Sequence, residues 1–86
     1  MKYLVTENMK SFMKCMKDNN LNVKDYVYVK DCFDLRNKNV NKENLYFVGN
    51  YWLNKKFNEI KDEINWMFGV DNHKEIAGPS KLLLNK

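Results

Sequence analysis

The chain has 86 residues, 44% of them apolar and 14% aromatic, and a formal charge of +4 at pH 7. A chain of this length builds one small core that buries roughly 60–65% of its unfolded surface, and the composition is globular rather than disordered. No apolar run approaches the ~20 residues of a membrane span, and Met1–Lys10 has neither the h-region nor the cleavage site of a signal peptide, so neither a membrane partner nor export is expected.

The elements follow in chain order. Lys2-Tyr3-Leu4-Val5 reads as a strand rich in β-formers. Thr6 is the expected N-cap of a first helix, with Glu7 in the first turn, where the helix dipole favours an acid. Met9, Phe12, Met13 and Met16 then recur at helical spacing and predict a buried face, with Lys10, Lys14 and Lys17 toward solvent. Asp18-Asn19-Asn20 ends the helix, since Asn tolerates the left-handed conformation. After a connector, Tyr26-Val27-Tyr28-Val29 is a second strand, and Asp31 caps a single helical turn over Cys32–Leu35. Arg36–Asn44 is a polar loop, and Leu45-Tyr46-Phe47-Val48 is a third strand that Gly49-Asn50 breaks.

Leu53, Phe57, Ile60, Ile64 and Met67 carry the strongest periodic signal in the chain. They predict a long amphipathic helix capped by Asn50 or Asn54 and closed by Gly69. The stretch 1–69 is therefore expected to be the compact domain and 70–86 a tail. That tail holds a Gly78-Pro79-Ser80 breaker and the apolar trio Leu82, Leu83 and Leu84.

The order β-α-β-(short turn)-β-α, with strands apolar on both faces, predicts an α/β fold: a three-stranded, mostly parallel sheet with the first strand central, a minimal Rossmann-like unit. The alternative is an α+β arrangement in which the second and third strands pair antiparallel through the intervening loop.

Charge and motifs then discard functions. All the basic residues but Arg36 are Lys, Asn is as frequent as Lys, and many lysines sit beside acids, as in Lys17–Asp18 and Lys30–Asp31. This reads as a solvated mixed-charge surface and as the coding bias of an AT-rich genome rather than a nucleic-acid stripe. Cys15 and Cys32 have no second pair and only His73 as a further soft ligand, so no metal site is expected and both thiols should stay free in a reducing cytoplasm. Phosphate-binding loops need glycines after the first strand. Here Thr6-Glu7-Asn8 follows it and the first glycine is Gly49, so no nucleotide cofactor is expected. Ser11 and Ser80 are the only serines and neither is spaced to a base, so no catalytic residue is assigned. Asp31 and Asp34 have the composition of a Mg²⁺ pair, but the capping role is the expected one.

The most informative cluster is Gly49-Asn50-Tyr51-Trp52, directly after the third strand. In open α/β sheets ligands meet the loops at the carboxyl ends of the strands. That edge gathers Asn8, Lys30, Asp31, Asn50, Tyr51, Trp52 and Lys55 as candidate partner-binding residues, with Leu82, Leu83 and Leu84 as a second candidate in the tail. Tyr and Trp are enriched in protein interfaces, and aromatics flanked by Lys also suit single-stranded nucleic acid. Trp66 lies off the apolar stripe of its helix and either widens that face or marks a contact.

In size, Asn/Lys-rich composition and lack of a catalytic motif, the chain is similar to the small accessory proteins that phages and mobile elements of low-GC bacteria encode. That likeness implies a non-catalytic cytoplasmic protein, monomeric or homodimeric. It would act by stoichiometric binding to a host or defence protein, in the manner of anti-CRISPR or host-takeover inhibitors. A nucleic-acid-binding accessory protein and a degenerate nucleotide-binding unit are the alternatives.

Overall fold

A computed structural model describes residues 1–36 and 39–74 of the chain. Strands form at the runs of β-branched and aromatic residues: β1 (Lys2–Val5), β2 (Tyr26–Tyr28) and β3 (Leu45–Phe47). They make one sheet in the order β2-β1-β3, with both pairings parallel. The antiparallel alternative is overturned, because β1 lies between β2 and β3 and pairs with each. β2 and β3 end one residue earlier than expected. Their hydrogen bonding still runs on, with the Val29 N–H donating to the Leu4 carbonyl at 2.9 Å and the Val48 N–H to that of Val5 at 3.0 Å.

Alternation along the strands sorts side chains onto two faces. Tyr3, Val5, Val29, Leu45 and Phe47 form one face, packed with Leu35, Ile60 and Ile64. Leu4 and Val48 form the other with half-buried Tyr26, Tyr28 and Tyr46, against Phe12, Cys15 and Met16. Helix α1 (Met9–Asp18) thus covers one face and α2 (Phe57–Phe68) the other, as strands apolar on both sides require. No helix of the described residues is long and apolar enough to cross a membrane.

The start of α1 differs from expectation. Its N-cap is Asn8, whose Oδ1 accepts from the Ser11 N–H at 2.8 Å. Thr6 is fully buried and its hydroxyl donates to the Asn8 carbonyl at 2.9 Å. Thr6, Glu7 and Asn8 together carry the chain from the sheet to the helix layer, so Glu7 precedes the helix instead of lying in its first turn. The other end follows the sequence. Asn20 takes φ 54°, and the Leu21 N–H closes onto the Met16 carbonyl at 2.9 Å. Met9 and Met13 are corrections to the expected core, since they remain 52% and 46% exposed. The buried stripe is Phe12, Cys15 and Met16. Met13 lies about 100° round the helix from Phe12, beyond what a three-stranded sheet can cover.

Helix α2 begins at Phe57 without a side-chain cap. Neither expected cap serves it: Asn50 precedes a 3₁₀ turn over Tyr51–Leu53 without capping it, and Asn54 lies in the link that follows. Leu53, expected on the buried stripe, is 55% exposed on that turn. Gly69 ends α2 at φ 64°, its N–H directed at the Asn65 and Trp66 carbonyls. A Cβ there would be strained by this backbone conformation although space is open around it.

Candidate functional site

Three loops meet at the carboxyl edge of the sheet: 6–8 after β1, 30–34 after β2 and 48–56 after β3. The chain leaves β1 for α1 on one face. The segment after β2 returns on the other, where Leu35 joins the α2-side core. The loops after β1 and β3 therefore diverge to opposite faces, and a crevice opens between them, as at the switch points of larger parallel sheets.

The loop after β2 is fixed by its two carboxylates. Asp31 Oδ1 accepts from the Phe33 N–H at 3.0 Å, and Asp34 Oδ2 accepts from the Lys30 and Asp31 N–H groups at 2.8 and 3.3 Å. Asp34 Oδ1 also pairs with Lys30 Nζ at 3.2 Å. This is a reciprocal capping box, and with the Lys30 ammonium it gives both acids partners from within the turn. Among the described residues no three His, Cys, Asp or Glu groups converge as a metal site.

The loop after β3 is pinned at two points. Tyr51 is half-buried and packs edge-on against Phe47 at 5.0 Å and Phe57 at 5.6 Å, with buried His73 beside all three rings. The Tyr51 hydroxyl lies 3.4 Å from His73 Nε2. Burial lowers the His73 pKa below its ordinary 6.5, helped by the Lys74 and Lys61 charges, so the docked ring is neutral at pH 7. The second pin is Asn54, which is 6% exposed. Its Nδ2 donates to the Thr6 carbonyl at 2.8 Å, and its Oδ1 accepts from the Lys56 N–H at 2.8 Å. Between these pins Trp52 and Leu53 face water, 54% and 55% exposed.

A cleft of about 370 Å³ opens beside this turn. Glu7 and Asn8 line it from the first loop, Tyr28 and Lys30 from the end of β2, and Leu53–Lys56 from the third loop. Burial raises the Tyr28 pKa above its ordinary value, so the phenol is a neutral hydroxyl. The hydrogen bond and charge of Asp34 raise the Lys30 pKa and keep it a cation. Lys56 pairs with Glu59 at 3.9 Å, and no ion pair engages Lys55 among the described residues.

Of the residues singled out in the sequence, Asn8, Lys30 and Lys55 come together in the cleft. Trp52 is exposed beside it, Tyr51 turns into the aromatic cluster, and Asp31 is committed to its turn. Asn50 is exposed at the head of the 3₁₀ turn. Leu82, Leu83 and Leu84 lie outside the described residues. Lys56, expected beside Lys55 as part of an aromatic and lysine patch for single-stranded nucleic acid, also lines the cleft, whereas Tyr28, Leu53 and Asn54 were missed as site residues. The signal for Asn54 was present: an Asn followed by two lysines inside an otherwise helical stripe, directly after a Gly-Asn break, marks a helix that starts late.

Neither thiol lines the cleft. Cys15 is buried under α1, and its pKa is raised by burial and by Asp18. Cys32 is buried with its Sγ 3.3 Å from Glu59 Oε1, and burial and that carboxylate raise its pKa too. Neither has the electropositive surroundings of a reactive cysteine. Comparison of the chain with known protein families, with curated proteins and with solved structures finds no significant match.

Proposed function

We propose that the chain is a non-catalytic protein-binding module acting stoichiometrically through the Trp52–Leu53 turn at the carboxyl edge. The observation that carries this reading is that two large apolar side chains are held in water between two anchored neighbours, Tyr51 and Asn54. Fully burying a side chain such as Leu is worth about 1.5–3 kcal/mol, and a domain this small has little stability in reserve. A frayed loop would explain exposure by mobility; a pinned one presents its side chains in a fixed place, which lowers the entropic cost of docking a partner. Trp is also the residue type most enriched among interface hot spots.

The role that fits is that of an inhibitor or adaptor, working as a monomer or homodimer in a reducing, cytoplasmic setting. A host or defence protein is the class of target that the phage-like composition suggests. Among the described residues Lys14, Lys30, Lys56 and Arg36 have an acidic partner within the fold, Asp18, Asp34, Glu59 and Glu63, and the other lysines do not. It is therefore the exposed apolar turn and not the charge that supports a protein partner, and the nuclease arm of the test decides between protein and nucleic acid.

The test is a tagged pull-down from native lysate, with and without nuclease, comparing the wild type with the Trp52→Ala/Leu53→Asn double variant. One protein at near one-to-one ratio, nuclease-resistant and lost with the double variant, is the expected result. Capture that survives the double variant would overturn the site. Recovery that disappears with nuclease would make this a nucleic-acid-binding protein instead.

A further inference from the structure

The cleft beside the Trp52–Leu53 turn has a chemistry of its own, and it narrows the kind of partner on which the binding reading rests. Its lining carries three ammonium groups, Lys30, Lys55 and Lys56, against a single carboxylate, Glu7. Lys30 is balanced by Asp34 at 3.2 Å, and Lys56 is held only loosely by Glu59 at 3.9 Å. Lys55 has no ion-pair partner among the described residues. The Tyr28 hydroxyl and the Asn8 side chain add neutral polar groups, and Leu53 supplies an apolar wall. At about 370 Å³ the cleft falls within the range of ligand pockets, toward its lower end, and has room for one or two side chains.

From this arrangement we infer that the cleft receives a Glu or Asp side chain of the partner protein, its carboxylate toward Lys55 and Lys56 and an adjacent apolar side chain against Leu53. Charge complementarity argues for the acid: the local excess of cations is uncompensated at Lys55, and a partner carboxylate placed there gains both attraction and orientation. Leu53 argues for a ligand with an apolar group beside its anion, which excludes a bare inorganic anion. That the ligand is a protein segment rests on the protein-binding reading, and the oligothymidylate arm below tests a strand whose bases would stack there instead. Glu7 in the lining repels any anion, and a single carboxylate meets less of that repulsion than successive phosphates would. The cleft therefore sets which partner is accepted, and the exposed turn supplies the buried apolar area.

The experiment is an NMR titration of the ¹⁵N-labelled full chain with two blocked tripeptides, Leu-Glu-Leu and its Leu-Gln-Leu counterpart, with inorganic phosphate and an oligothymidylate as further probes. The Glu peptide should shift the amides of Tyr28 and Asn54–Lys56 and bind at least about threefold more tightly than the Gln peptide, the scale of one exposed charge pair. Lys55→Glu should erase that preference, and high salt should shrink it. Lys55 is exposed, so the variant should keep the fold, and its unchanged amide spectrum elsewhere verifies that. Equal binding of the two peptides, or shifts confined to another surface, would overturn the inference. Oligothymidylate or phosphate binding more tightly than the Glu peptide at physiological salt would overturn it in favour of a phosphate ligand. The pull-down separates this from the broader reading. A partner retained by Lys55→Glu and lost with Trp52→Ala/Leu53→Asn leaves the turn as the binding site and removes the acidic specificity; a partner retained by both variants removes both.

Discussion

The two faces of the sheet solve the same problem with different materials. On the α2 face the strands present Val5, Val29, Leu45 and Phe47, and Ile60 and Ile64 close over them with no exposure at all. On the α1 face the strands present Leu4 and Val48 flanked by three tyrosines, Tyr26, Tyr28 and Tyr46, each half-buried. Register explains the second arrangement: Leu4 of the central strand lies directly between Tyr28 and Tyr46. A ten-residue helix covers the central strand and leaves the two edge strands partly wet. Tyrosine suits that position because its ring packs while its hydroxyl stays in water. The α2 face has more to close it: the turn over Cys32–Asp34, Leu35, and the Tyr51–His73 contact. One face is a sealed core and the other a core with an aqueous rim.

The largest expected effect tests the sealed face. Ile64→Ala should lower the unfolding free energy by about 3–4 kcal/mol, because a fully buried side chain leaves a cavity that the sheet cannot fill. Urea denaturation measures it, and a loss near that of a surface substitution would show that the face is not sealed. Next comes the edge that joins the two faces. Asn54→Ala removes the donor to the Thr6 carbonyl and should cost about 1–3 kcal/mol by the same measurement. The start of α1 follows: Asn8→Ala should cost about 1 kcal/mol, the worth of one N-cap.

A pH series sharpens the comparison further. His73 has its pKa lowered by burial on the α2 side, so as pH falls the unfolded chain takes up the proton before the folded one does. The stability of the docked neutral ring is whole above pH 6.5 and is lost progressively as pH falls through the lower folded value. Melting temperature should therefore drop more steeply between neutral and mildly acidic pH for the wild type than for His73→Phe. Parallel profiles would mean that His73 is not held neutral. The smallest effect belongs to the wet face: Tyr46→Phe should change stability by no more than about 0.5 kcal/mol.

How much of this was readable in advance follows from how local each feature is. The three strands, the Asp31 cap and the left-handed ends at Asn20 and Gly69 each depend on a few consecutive residues. Even the grouping of the tyrosines was legible, since Tyr26 and Tyr28 sit two apart and fall on one face of a strand. The start of α2 was not. The helical periodicity ran back to Leu53, and only the pull of the Thr6 carbonyl on Asn54, 48 residues earlier in the chain, takes that segment out of the helix. At the candidate edge, Asn8, Lys30 and Lys55 were readable as residues near strand ends, but which of their neighbours would close a cleft with them was not.

The order of elements and the two-sided strands were determined by the sequence itself, because alternation and caps act within single elements. The handedness of crossovers favoured a central β1, and the tertiary structure decided it. Only the tertiary structure decided which apolar residues stay outside. Met9, Met13 and Leu53 carry the same hydrophobic pattern as their buried neighbours. They remain exposed because a sheet of three strands has too little surface for every apolar side chain offered to it.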